Sequence, residues 1–176
     1  MRIIETVRAV KSEQETLKRR SYGMIEAMHG KLHRIQLRPW PKIASLVEAH
    51  WIRAMKSKRH QPDVCRLYYN QPIGHRNFIA LTYIESSLNT SVQTVSAALN
   101  VLDQIAYIKQ SDALIAEVTN RRITDRLLSR LGWQRYMEQK RQRHWIRRFY
   151  GAYPESVTNT LRSNCDQMVS NSGQAT

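Results

Sequence analysis

The sequence has few residues that could tie a fold together covalently or through a metal. It contains two cysteines among 176 residues, Cys65 and Cys165, which lie far apart without a further Cys or His at metal-ligand spacing. Its six histidines form neither an HxH nor an HExxH pattern. We therefore predict no disulfide framework and no metal site, and we expect an apolar core to hold the fold.

Long apolar runs are also absent. No stretch approaches the roughly 18 consecutive apolar residues of a membrane-spanning helix. The opening MRIIETVRAVKSEQ lacks the apolar centre of a secretory signal. These absences predict a cytoplasmic protein without a membrane span. A chain of this length can form one domain with a sizeable core.

Acidic residues are scarce. The chain has 28 Lys and Arg against 14 Asp and Glu, a net charge of +14. Residues 1–60 carry 14 basic and 5 acidic side chains and residues 121–148 carry 10 and 2, whereas residues 61–120 carry 3 and 5. This distribution favours a polyanion such as nucleic acid, an anionic surface or a phosphorylated cofactor. It equally fits a basic surface that only contacts solvent, because net charge affects solubility and association but does not determine the fold.

Apolar spacing in the first half predicts four elements. Residues 3–29 show helical intervals that end at Gly30, which predicts a long amphipathic helix. The extended run 32–38, closed by two prolines, predicts a strand followed by a helix over 42–56. VCRLYYN and NFIALTYIE flank QPIGHR, and this arrangement predicts a β-hairpin.

The second half begins with TVSAALNVLDQIAYIK, which predicts a helix of about four turns. DALIAEVT is nearly all apolar, as in a strand covered on both faces. Asn120 is expected to cap the next helix and Gly132 to end it. The basic segment WQRYMEQKRQRHWIRRFYGAYP predicts two strands, or a strand and a basic helix. Residues 155–176 are polar, and we expect them to form a disordered tail.

The order strand, helix, hairpin, helix, strand, helix and strand pair, from Leu32 to about Phe149, resembles the GNAT N-acetyltransferase family. IQLRPWPKIASLVEAHW is similar to that family's opening strand and helix, and DALIAEVTNRRITDRLLSRLGW to its cofactor-side strand and following helix. RHWIRRFYG is similar to its last strand. The resemblance implies an α/β fold: a GNAT-like mixed central sheet with flanking helices over residues 31–154, preceded by the amphipathic helix of residues 1–30.

The resemblance also implies a site. Acetyl-CoA would lie where two parallel strands splay apart, with its pyrophosphate at a helix N-terminus. The implied function is acyl-CoA-dependent N-acyl transfer to a small amine or peptide, or that of a catalytically degenerate relative. Glu85, at the end of a hairpin strand, is the candidate base for the amine. The candidate cofactor-binding residues are Thr90, Ser91, Val92, Gln93, Thr94, Val118 and Asn120.

Two features of this sequence depart from the family's pattern. The family's phosphate loop uses glycines to bring the backbone close to the ligand, whereas residues 88–94 contain none. Thr90, Ser91 and Gln93 offer hydroxyl or amide donors instead. Leu128 takes the position at which the family often carries a Tyr that protonates the departing thiolate. An active enzyme and a silent relative therefore both stay open.

A second resemblance concerns residues 86–110, SSLNTSVQTVSAALNVLDQIAYIKQ, which are similar to the helix-turn-helix of winged-helix DNA-binding proteins. In that interpretation the residues facing the groove would be Ser91, Gln93, Thr94, Ser96 and Asn100. Phosphate contacts would come from the neighbouring basic helix through Arg121, Arg122, Arg126 and Arg130. Binding of DNA or RNA is therefore the alternative to acyl transfer. The sequence does not indicate an oligomeric state.

Overall fold

An eight-stranded mixed sheet organises the computed structural model, which describes residues 4–39, 62–118, 123–139 and 142–162. The strands in these ranges are β1 (Glu5–Val7), β2 (Tyr22–Met28), β3 (Lys31–Arg38), β4 (Val64–Asn70), β5 (Phe78–Ser86), β6 (Ala113–Glu117), β7 (Gln134–Gln139) and β8 (Gln142–Arg148). The helices are α1 (Gln14–Arg19), α2 (Val92–Ile108), α3 (Asp125–Arg130) and α4 (Glu155–Arg162). The strand order is β1-β3-β2-β4-β5-β6-β8-β7.

One pair of neighbouring strands in the described sheet, β5 and β6, is parallel. The other neighbours pair in the antiparallel sense. Parallel neighbours need a long crossover connection, usually a helix, and α2 provides it. This topology confirms the predicted mixed central sheet with flanking helices, including the β4–β5 hairpin and the two-strand alternative for the basic C-terminal segment.

The core lies between α2 and one face of the sheet. Helix α2 buries Ala98, Leu102 and Ile105 completely. The sheet contributes equally buried side chains from successive strands: Ile25, Ile35, Leu67, Ile79 and Leu114. Each large apolar side chain buried in this way stabilises the fold by roughly 1.5–3 kcal/mol relative to exposure. The layer between helix and sheet therefore fixes the position of α2 above the centre of the sheet.

The prediction of one long helix over residues 3–29 is wrong. This segment forms β1, α1 and β2, and a turn with positive φ at His29 and Gly30 joins β2 to β3. Strand β2 lies between β3 and β4, and its residues from 23 to 27 are all buried. A strand covered on both faces loses its polar alternation. The apolar residues of β2, read together with those of α1, therefore had the spacing of a single helix, and this spacing produced the wrong prediction.

The C-terminal expectation is wrong for residues 155–162, which form α4 instead of a disordered tail. Val157 and Leu161 are buried in the core that includes α2. Residues 163–176 and the helix predicted over 42–56 lie outside the described residues. None of the helices in the described ranges is long and apolar enough to cross a bilayer.

Candidate functional site

The parallel strands β5 and β6 separate at their carboxyl ends. Their pairing stops at Leu81 and Ala116. Beyond that point β5 continues to Ser86 alongside β4, whereas β6 continues to Glu117 alongside β8. Because each strand follows a different neighbour, a gap opens between them.

A β-bulge at Thr82 accounts for the separation. The register of β5 with β4 shifts between Leu81 and Tyr83, so that Thr82 is an extra residue. A bulge bends its strand and increases the local twist. It also changes which side chains share a face. Leu81 and Ile84 contact the core below α2, while Tyr83 and Glu85 pair with residues on the opposite face of the sheet.

The gap leads into an apolar cleft. Its walls come from β5 and β6, from α2, and from the segment around α3: Leu81, Ile84, Ala116, Val118, Val95, Leu99, Ile123, Leu127, Leu128, Leu131 and Trp133. The interior space that a water-sized molecule can occupy is about 10 Å³. Leu128 is buried in this wall, so the position compared with the family's Tyr offers no proton. This apolar lining disfavours a charged group.

The N-cap of α2 is Ser91, whose Oγ accepts the Thr94 N–H at 3.1 Å, and a carboxylate from another part of the chain holds this cap. Asp63 Oδ1 accepts the Ser91 N–H at 2.8 Å, and Oδ2 accepts the hydroxyls of Ser91 and Thr94 at 2.9 and 2.8 Å. Burial raises the pKa of Asp63, but hydrogen bonds from Ser91 and Thr94 outweigh it, so the pKa is lowered. The ionised carboxylate therefore sits at the positive end of the helix dipole.

The hydroxyl groups expected to receive phosphate are thus engaged within the protein. Thr90 Oγ1 donates to the Val64 carbonyl at 2.7 Å, and the hydroxyls of Ser91 and Thr94 hold Asp63. By contrast, the backbone N–H groups of Val92 and Gln93 have no partner among the described residues. An anion at this glycine-free loop would therefore be bound by backbone N–H groups and not by side-chain hydroxyls.

On the sheet face away from α2, four charged side chains alternate in sign across β3, β2, β4 and β5: Arg34, Glu26, Arg66 and Glu85. Glu26 Oε2 accepts Arg66 Nε at 2.9 Å and Arg34 Nη2 at 3.2 Å. Burial raises the pKa of Glu26, but the two arginines outweigh it and lower the pKa. Glu85 is held more loosely, with its Oε2 3.7 Å from Arg66 Nη1. Glu85 therefore ends this charged row on the strand that borders the gap.

The predicted residues beyond β6 separate into two groups. Val118 lines the cleft, whereas Asn120, Arg121 and Arg122 lie outside the described residues. The cap of α3 is Thr124, whose hydroxyl accepts the Leu127 N–H at 3.2 Å, so the expectation that Asn120 caps this helix is corrected. Arg126 and Arg130 are exposed on α3.

The topology does not support the winged-helix interpretation. Helix α2 buries nine residues against the rest of the fold, although a recognition helix must present a face to the groove. The segment after α2 is the inner strand β6 and not one arm of a hairpin.

Sequence reasoning missed a buried ion pair beside the cleft. Asp103 Oδ2 on α2 lies 3.1 Å from Arg147 Nη1 on β8. Burial raises the pKa of Asp103 to about 7, although Arg147 acts in the opposite direction. An Asp at a core position of an apolar helix was the available signal. The described residues contain no group of three potential metal ligands.

Two solved structures are similar to this chain. One is a candidate acetyltransferase of the GNAT family from Desulfovibrio desulfuricans, 16% identical, with 59% of this chain and 75% of that chain covered and a TM-score of 0.41. The other is nourseothricin acetyltransferase, 11% identical, with 84% and 99% covered and a TM-score of 0.41. No known family profile and no curated protein matches the sequence. Similarity at this level does not bear on activity.

Proposed function

We propose that this protein is an acyl-CoA-dependent N-acyltransferase, or a relative that keeps the donor site without the activity. The bulge at Thr82 carries the proposal, because it separates β5 from β6 above an apolar cleft. Acetyl-CoA has a long arm with amide groups that ends in a thioester. A gap between strands offers such an arm apolar walls and unpaired backbone groups on the exposed strand edges.

The proposed donor site runs from the gap to the start of α2. The arm would lie beside Val118, and the pyrophosphate would meet the N–H groups of Val92 and Gln93 at the positive end of the helix. Asp63 opposes this, because a carboxylate at the same helix end repels a second anion. We therefore propose weak donor binding. The proposed cofactor contact of Asn120 rests on the family resemblance.

Catalysis at this site would depend mainly on holding the two reactants together, which can lower the barrier by about 7–11 kcal/mol. Glu85 as a carboxylate would hold a protonated amine and receive its proton. Because Leu128 supplies no acid to the departing thiolate, we propose slow turnover. The acceptor class is a small amine or a peptide amine.

Calorimetric titration with acetyl-CoA tests the donor site, with Asp63→Asn as the informative variant. We expect the wild-type protein to bind at submillimolar concentration. We expect Asp63→Asn to bind about two- to fivefold more tightly, since a charge at a helix end is worth about 0.3–1 kcal/mol.

Asp112→Asn is the matched control, because it changes the net charge equally at the far end of α2. Similar tightening in both variants would indicate a general charge effect and not a site at the start of α2. Absence of wild-type binding at about millimolar acetyl-CoA, where a Kd of that size corresponds to roughly −4 kcal/mol, would contradict the proposed function.

A further inference from the structure

One wall of the cleft is a helix too short to hold its position unaided. Helix α3 has six residues, and isolated helices shorter than about 12–15 residues are marginal in water. The segment around it nevertheless supplies a whole side of the cleft: Ile123, Leu127, Leu128, Leu131 and Trp133. The width of the cleft therefore depends on whatever fastens α3 to the rest of the fold.

Arg143 of β8 fastens the first end of α3. Its Nη1 donates to Asp125 Oδ1 at 2.9 Å, and its Nη2 donates to the Ile123 carbonyl at 2.8 Å. Its Nε donates to the Val118 carbonyl at the end of β6, at 3.3 Å. One guanidinium thus joins the end of β6 to the start of α3, and both Val118 and Ile123 line the cleft.

Arg147 fastens the other end. Its Nη1 donates to the Leu131 carbonyl just after α3 and pairs with Asp103 on α2. Gly132 passes close to this guanidinium, since a Cβ there would lie 3.6 Å from Arg147 Cζ. Arg143 and Arg147 are four residues apart on one strand, so their side chains leave the same face of β8.

The two arginines differ in what their loss would cost. Removing Arg147 would leave the buried carboxylate of Asp103 without a cation, and such a change is strongly destabilising. Asp125, the partner of Arg143, has a side chain that is 46% exposed, so water can replace the lost contact. Arg143 can therefore be changed with less harm to the fold than Arg147.

We infer that Arg143 is a positioning residue for the acyl donor: it holds α3 at the distance from β5 and β6 at which the cleft grips the donor's arm. This inference rests on the proposed function. Arg143 does not contact the reacting atoms in this assignment. It acts through Ile123, Leu127 and Leu128, whose side chains form the wall.

The test compares two ligands that differ in the arm. Acetyl-CoA has the arm, while 3′-phosphoadenosine 5′-diphosphate is the nucleotide half of coenzyme A, with both phosphates of the pyrophosphate but without the arm. We expect Arg143→Gln to weaken acetyl-CoA binding about tenfold and to leave nucleotide binding within about twofold, because only the arm uses the wall. Arg143→Lys should fall between, since an ammonium can face Asp125 but lacks the fork of donors.

Arg148→Gln is the control on the same strand. Arg148 is exposed and donates to Gln134, and the change removes the same charge without touching α3. Hydrogen–deuterium exchange of residues 123–131, measured without ligand, should be faster in both Arg143 variants and unchanged in Arg148→Gln. If Arg143→Gln does not fold, Arg143→Lys carries both measurements.

The inference is overturned if the Arg143 variants bind acetyl-CoA as the wild type does, if both ligands weaken equally, or if exchange over 123–131 is unchanged. A wild type that binds neither ligand contradicts the proposed function instead. In that case the hydrogen–deuterium exchange of residues 123–131 still tests the role of Arg143. Faster exchange in the Arg143 variants supports its role in holding α3, and unchanged exchange overturns that role as well.

Discussion

At the scale of single residues, two aspartates show how surroundings decide what a carboxylate does. Asp63 accepts three hydrogen bonds at the start of α2, and these outweigh burial and lower its pKa. Asp103 is enclosed in the core with Arg147 as its cation, and burial raises its pKa to about 7. The first carboxylate holds the cap of a helix, and the second makes the stability of the core depend on pH.

Asp103→Asn is expected to remove part of that pH dependence. The pKa of Asp103 is about 7 in the folded protein and 3.8 ordinarily. Between these values the folded state binds the proton more tightly than the unfolded state, so the free energy of unfolding falls as pH rises from about 4 to about 7. Urea unfolding at several pH values should show this decline in the wild type and a shallower one in the variant.

The comparison concerns the slope with pH and not the absolute stability, because Asp103→Asn leaves the half-buried Arg147 without its anion at every pH. Parallel stability curves for the two proteins would contradict the raised pKa.

At the scale of elements, the bulge in β5 and the short helix α3 together make the cleft. The extra residue Thr82 turns Ile84 toward the core and Glu85 away from it. Helix α3 then closes the space with Leu127 and Leu128. A hydrophobic pattern can indicate both elements, but the pairing of β5 with β4 determines that one extra residue changes the face of every residue after it.

Leu128→Ala tests whether α3 packs tightly against the other residues that line the cleft. Leu128 is buried, and removal of a buried Leu side chain costs about 2–5 kcal/mol. We expect a loss of that size in urea unfolding, with the m-value unchanged. Ile73→Ala is the control, because Ile73 is 91% exposed and its truncation should change stability by less than about 0.5 kcal/mol. Equal small effects in both variants would mean that α3 does not seal the cleft.

At the scale of the whole molecule, the N-terminal segment supplies the edge strand β1 and the inner strand β2 of the sheet. Strand β2 pairs with β3 on one side and with β4 on the other, so the first described residues connect the edge strand β1 to the core strands. The sheet carries the gap between β5 and β6, and the same sheet depends on residues near the start of the chain.

Deletion of residues 1–30 is therefore expected to abolish the cooperative fold. It would remove β2 and leave Ile35 and Leu67, both fully buried, without a strand between them. We expect circular dichroism and thermal unfolding to show no cooperative transition in the truncated chain. Glu5→Gln is the control, because it breaks ion pairs with the exposed Arg19 and the half-buried Arg20 but removes no strand, and it should cost about 1 kcal/mol. A truncated chain with a sharp transition would show that the segment is dispensable.

Local pattern was sufficient for much of the second half of the chain. The hairpin of β4 and β5, helix α2 and strand β6 follow from apolar spacing and turn residues. The mixed sheet and the gap were implied by the family resemblance of this order of elements. The first 30 residues could not be assigned in this way, because a strand covered on both faces has no alternation to distinguish it from a helix. Contacts between distant segments were equally out of reach: the hold of Asp63 on the cap of α2, the bulge at Thr82 and the hold of Arg143 and Arg147 on α3 depend on which strands become neighbours. Residues that are neighbours in the sequence determine whether a segment forms a helix or a strand. The side chains that meet at the candidate site come from distant segments, so the pairing of the strands in the sheet determines which of them come together.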